Sequence, residues 1–111
     1  MLVAFSVAPS GAQDEEGSVH DAVAAAVRVV RDSGLPNHTD SMFTTIEGDW
    51  DEVFAVIKAA TEAVGAWGPR VSLVLKADIR AGRTGELAGK VERLEAALDA
   101  ATPPPRGNTG P

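Results

Sequence analysis

No cysteine occurs in the 111 residues. Disulfides, thiolate metal sites and cysteine nucleophiles are therefore excluded, and nothing points to an oxidising compartment. Positive charge is also in short supply. Ten Lys and Arg stand against sixteen Asp and Glu, giving a formal net charge of −6. The basic residues are scattered rather than clustered, which argues against a nucleic-acid phosphate backbone as partner. Long apolar runs are missing too. The stretch Met1 to Ala8 has no basic residue ahead of it and is stopped by Pro9, Ser10 and Gly11, so it reads as a strand rather than a signal peptide or membrane helix. A cytoplasmic protein without a membrane partner is the resulting expectation.

Several catalytic signatures are absent as well. His20 and His38 occur in no HExxH or paired-ligand spacing, so no metal is expected. Gly82-Arg83-Thr84-Gly85 lacks the GxxxxGK arrangement of a phosphate loop, leaving only a loose anion contact through Arg80 or Arg83. Ser18, His20 and Asp21 have the residue types of a nucleophile triad but crowd the start of a predicted helix, where capping explains them more simply. Glu47 and Asp78 could form an acid/base pair only if the fold brings them together.

What is present is one domain's worth of apolar sequence. At 44% hydrophobic residues, the chain can build one core and is too short for two ordinary domains. A single domain over 1–100 is expected, followed at 101–111 by a Pro/Gly-rich tail expected to be disordered.

Leu2 to Ala8 alternates Val3, Phe5 and Val7 with smaller side chains, as a strand with one buried face does. Ser18-Val-His-Asp21 has capping-box spacing ahead of a helix over about 19–33, with Val19, Val23, Val27 and Val30 as its apolar stripe, ended by Gly34 and Pro36. Asn37 to Ser41 reads as an edge strand pairing with a better one over 42–47. Asp49 and Glu52 then form a capping box ahead of Val53, Val56, Ile57, Ala60, Val64 and Trp67 at helical spacing. Gly68-Pro69 stops that helix, Arg70 to Asp78 returns to alternation, and Leu87, Val91, Leu94 and Leu98 mark a last helix. Trp50 and Trp67 bracket the second helix and read as packing or interface residues.

This order fits an α+β, ferredoxin-like βαββαβ sandwich with an additional C-terminal helix. The first strand then lies between the third and fourth. If Val3, Phe5, Val7, Met42, Ile46, Leu73 and Leu75 face the helices, the open face gathers Leu2, Ala4, Ser6, Phe43, Thr45, Glu47, Ser72, Val74 and Lys76. Such a semi-apolar face suits either a small ligand, with Phe43 stacking on a flat heterocycle and Glu47 accepting from its amino group, or packing against another subunit.

The segments Phe5-Ser-Val-Ala-Pro-Ser-Gly11, Met42-Phe-Thr-Thr-Ile-Glu-Gly48 and Val71-Ser-Leu-Val-Leu-Lys-Ala-Asp-Ile-Arg80 occur in that order. With them the chain resembles the thiamine-binding, YkoF-like family over almost all of 1–100. The resemblance implies a ferredoxin-like fold, dimers or tetramers assembled through the sheets, and binding of thiamine or its hydroxymethylpyrimidine portion, with no cofactor and no established catalytic reaction. It places the family's strand-one serine on Ser6, its threonine-glutamate strand on Thr44, Thr45 and Glu47, and its strand-four lysine on Lys76. Where the family often has a second acid after the fourth strand, Ile79 separates Asp78 from Arg80. A bound thiazolium cation would favour Asp40 or Glu47 over Lys76. The expected function is non-catalytic binding of a thiamine-like small molecule. The alternative is an oligomeric scaffold or regulatory protein without a ligand, and a small enzyme acting on a heterocycle is a third reading.

Overall fold

Alternation along Leu2–Ser10 produces the central strand, β1, whose residues Val3, Phe5 and Val7 are buried. The computed structural model describes residues 1–10, 16–82 and 84–100, with only the backbone of residues 16–18. The expected tail at 101–111 lies outside the described residues. After β1 come α1 (Glu16–Asp32), β2 (Asn37–Thr39), β3 (Thr44–Glu47), α2 (Trp50–Val64), a 3-10 turn (Gly65–Trp67), β4 (Arg70–Asp78) and α3 (Glu86–Asp99). The sheet runs β2-β3-β1-β4, with β1 antiparallel to both β3 and β4. This is the expected ferredoxin-like plan with its extra helix.

Helix α2 follows its sequence pattern closely. The Asp49 side chain accepts the Glu52 N–H at 2.9 Å and the Glu52 side chain accepts the Asp49 N–H at 3.2 Å, closing the capping box. Val53, Ile57, Ala60 and Val64 then recur every three or four residues and are buried, each large side chain contributing about 1.5–3 kcal/mol of apolar burial. Helix α1 departs from its expected face. Ala22, Ala26 and Val30 are its buried positions, whereas Val23 is 37% exposed. The helix also starts at Glu16, so Ser18 lies within its first turn and is not its cap. The expected valine stripe is thus rotated by about one position, with small alanines meeting the core.

Register fixes the two sheet faces. In an antiparallel pair, directly opposite residues point to the same side. Val3, Ile46 and Ala77 therefore form one rung under the helices, while Ala4, Thr45 and Lys76 form the next on the open face. Two expectations about the hairpin are corrected. Strand β2 ends at Thr39 and β3 begins only at Thr44, so Met42 and Phe43 belong to the hairpin tip and not to a strand. Met42, expected under the helices, is 71% exposed. The cause is Asp40, whose Oδ1 accepts the backbone N–H groups of Met42 at 2.8 Å and Phe43 at 2.9 Å. Its own N–H donates to the Phe43 carbonyl. An aspartate that bonds backbone groups two and three residues ahead turns the chain locally in place of a strand ladder.

Candidate functional site

The early end of β3 opens a pocket. Its last rung with β1 is Phe5↔Thr44, so from Ser6 onward β1 has no neighbour on that side within the described residues. The Asp40–Phe43 tip and helix α1 close over this gap. They border a half-open space of about 170 Å³ lined by Ser6, Phe5 and Val7 from β1, Val23 and Val27 from α1, and Thr39 to Thr44 from the hairpin. Continuing the β3 register would bring Phe43 level with Ser6.

This pocket combines an aromatic ring, apolar walls and a few polar groups. Phe43 is 36% exposed, leaving ring surface available for stacking. Thr39 and Thr44 tie the hairpin through their hydroxyls at 3.0 Å. The backbone N–H of Phe43 and then that of Met42 hold the Asp40 carboxyl below the ordinary aspartate range. An ionised carboxylate therefore sits at the rim at neutral pH. Both backbone donors reach Oδ1.

The expected site residues divide among three places. Ser6, Phe43 and Thr44 line this pocket, although Thr44 is buried on the helix side of the sheet. Thr45 and Lys76 flank Ala4 on the open face. Glu47 lies at the far end of β3, where it pairs with Leu2, four residues or about 13 Å of strand from Phe43. One heterocyclic ring cannot touch both.

Glu47 is instead 8% exposed, and its carboxylate accepts the backbone N–H of Glu86 at 2.8 Å and that of Leu87 at 3.2 Å. An α-helix leaves such first-turn donors without an intrahelical acceptor, and the cap residue of α3, Gly85, supplies no side chain and has φ 68°. Asp78 also pairs with Leu2, from the other side, so two strand spacings of about 4.8 Å separate it from Glu47. It forms a salt bridge with Lys90. The hydrogen bond and charge of Lys90 lower the Asp78 pKa. The two acids are thus engaged separately.

A second cleft of about 780 Å³ lies at that end of the sheet, where Glu47, Trp50, Ile79 and Arg80 are among its lining residues. Trp50 stacks on Phe54 with ring centroids 5.2 Å apart and an interplanar angle of 17°. Among the described residues, no group of three or more His, Asp or Glu gathers in a metal-binding arrangement, and no helix is long and apolar enough to cross a membrane. Sequence reasoning missed Val23, Val27, Thr39 and Ser41 as pocket residues. The signal available for the hairpin was Asp40 placed two and three residues before Met42 and Phe43, the spacing of an aspartate-bonded turn.

The profile of a thiamine-binding protein family matches residues 3–95. A UPF0045 protein of Mycobacterium bovis is 55% identical over 96 residues, covering 86% of this chain and 91% of that protein. A UPF0045 protein of Synechocystis is 41% identical over 83 residues, covering 74% of this chain and 69% of that protein. Among solved structures, a hypothetical protein of Methanocaldococcus jannascii superposes with a TM-score of 0.74 at 28% identity, covering 85% of this chain and 94% of that one. A Thermotoga maritima protein whose suggested role is thiamine biosynthesis or salvage superposes with a TM-score of 0.70 at 26% identity, covering 84% of this chain and 96% of that one.

Proposed function

This chain belongs to the thiamine-binding protein family, and we propose that it binds thiamine or the hydroxymethylpyrimidine portion of thiamine, without turnover, in the pocket beneath the β2–β3 hairpin tip. The observation that carries this reading is the meeting of Ser6, Asp40 and Phe43 around one ring-sized space. An aminopyrimidine has flat faces and hydrogen-bonding edges. Phe43 stacks on the face, the Ser6 hydroxyl meets an edge, and the apolar side chains of Val23 and Val27 exclude water. The pocket has room for one ring, so the thiazolium of intact thiamine projects past the rim, where the Asp40 carboxylate complements its positive charge.

Glu47 supports the site only indirectly in this reading, by fixing α3 at the opposite end of the sheet. Thr45 and Lys76 belong to the open face, which suits contact with other copies of the chain. The protein works in the cytoplasm as a homo-oligomer, a dimer or tetramer, with neither nucleic acid nor membrane as partner. Isothermal titration with thiamine and with hydroxymethylpyrimidine tests the binding reading. Heat from both ligands, with affinity roughly tenfold weaker in Phe43→Ala, supports it. No heat and no thermal shift at millimolar ligand would overturn it and leave the oligomeric scaffold as the better account.

A further inference from the structure

Charge at the pocket rim is of one sign. Asp40 stands there with an exposed carboxylate. The other side chains of the lining are apolar or carry hydroxyls, and no lysine or arginine is among them. The one basic residue of the hairpin, His38, pairs with Thr45 across the β2–β3 ladder. That register points it to the open face, and it does not line the pocket.

The groups that a phosphate would need are already engaged. Phosphate is held by lysine or arginine, or by backbone N–H groups converging on one point. At this tip the N–H groups of Met42 and Phe43 both donate to Asp40 Oδ1, at 2.8 and 2.9 Å. The Asp40 N–H donates to the Phe43 carbonyl at 2.9 Å. Thr39 and Thr44 hold each other through their hydroxyls. A loop with the donors of an anion nest thus surrounds a carboxylate of its own.

We infer that this pocket takes hydroxymethylpyrimidine and thiamine but rejects hydroxymethylpyrimidine phosphate, sorting ligands by the charge on the methylene that leaves the pyrimidine ring. This inference rests on the binding reading above. In thiamine that methylene carries the thiazolium, a cation. In hydroxymethylpyrimidine phosphate it carries a phosphate monoester, with a charge of about −1.5 to −2 at pH 7. With the pyrimidine against Phe43, either group emerges at the rim beside Asp40. The same carboxylate therefore attracts one and repels the other, and no lysine or arginine of the lining offsets the repulsion. In thiamine monophosphate the phosphate lies beyond the thiazolium and its hydroxyethyl arm, farther into water, so its penalty is smaller.

Isothermal titration of the wild-type protein with these four compounds at low salt tests the order. Hydroxymethylpyrimidine phosphate should bind about tenfold or more weakly than hydroxymethylpyrimidine, and thiamine monophosphate only about threefold more weakly than thiamine. Raising the salt from about 0.01 M to about 1 M should narrow the first ratio, because the Debye length falls from about 30 Å to about 3 Å. Asp40→Asn keeps an acceptor oxygen for the two N–H groups and removes the charge, so it should narrow the same ratio about threefold or more. Ser41→Lys adds a cation at an exposed position of the rim. It should raise affinity for hydroxymethylpyrimidine phosphate while lowering that for thiamine. If wild-type protein binds hydroxymethylpyrimidine phosphate as tightly as hydroxymethylpyrimidine, this inference falls and the binding reading stands. A ratio that neither salt nor either variant moves would assign the rejection to shape and overturn the role given to charge. No binding of hydroxymethylpyrimidine or thiamine would overturn the binding reading, and this inference with it.

Discussion

The Glu47 carboxylate accepts the Glu86 backbone N–H at 2.8 Å across 39 residues of sequence. The last residue of β3 thereby supplies the first turn of α3 with a cap that Gly85 cannot provide. A salt bridge from Arg93 to Glu86, at 2.6 Å, engages the same turn, and one from Lys90 to Asp78 ties the next turn of α3 to the end of β4. Val91, Leu94 and Leu98 farther along the helix remain exposed.

Removing this cap should loosen α3 before it affects the pocket. Glu47→Ala is expected to cost about 1–3 kcal/mol, because it leaves two backbone donors without their charged acceptor. Glu47→Gln, which keeps one acceptor oxygen, should cost less. Hydrogen exchange at the amides of Glu86 and Leu87 checks the local effect. Titration with thiamine should find affinity within about twofold of wild type once the variant is folded.

Phe43 should carry the largest single share of ligand affinity. Loss of ring stacking is worth about 1 kcal/mol or more, so Phe43→Ala should weaken binding of hydroxymethylpyrimidine by roughly tenfold. Asp40→Asn should weaken thiamine more than hydroxymethylpyrimidine, because only thiamine carries the thiazolium charge. Equal losses for the two ligands would place the cation away from Asp40.

The hairpin tip should loosen in acid. Backbone N–H donation from Phe43 and Met42 lowers the Asp40 pKa below the ordinary 3.8 of an aspartate. Its contribution is therefore complete above that value and is lost as pH falls through the lower value of the folded state. Amide chemical shifts of Met42 and Phe43 should titrate together with a midpoint below 3.8. Asp40→Ala should abolish that transition.

Gly48 should resist even a small side chain. A Cβ there would meet Val53 Cγ2 at 3.0 Å and Glu52 Oε1 at 3.2 Å. The obstacle is steric, and it falls on the core and on the α2 capping box together. Gly48→Ala is expected to cost about 1–3 kcal/mol, visible as a drop in Tm of roughly 4–8 °C per kcal/mol.

Much of this molecule was legible locally. Alternation in Leu2–Ser10 and Arg70–Asp78 marked two strands, and Asp49 with Glu52 marked the start of α2, because period and capping depend on neighbours a few residues apart. The hairpin tip was misread because Phe43 and Met42 have the composition of a strand. One Asp40 oxygen removes their amides from the ladder. The α1 face was misread because the valines are more hydrophobic than Ala22 and Ala26, yet close packing selects by size and position.

By itself, the sequence determined the ferredoxin-like order of elements, the central place of β1 and the absence of any thiol chemistry. Only the tertiary structure shows which groups the Glu47 carboxylate holds, the first two amides of α3. A strand-end carboxylate looks the same in sequence whether it holds a ligand or a helix, and its role depends on which unsatisfied N–H groups the fold brings within about 3 Å. The same holds for Ser6 and Phe43, which line one pocket because β3 stops at Thr44 and leaves a gap beside β1.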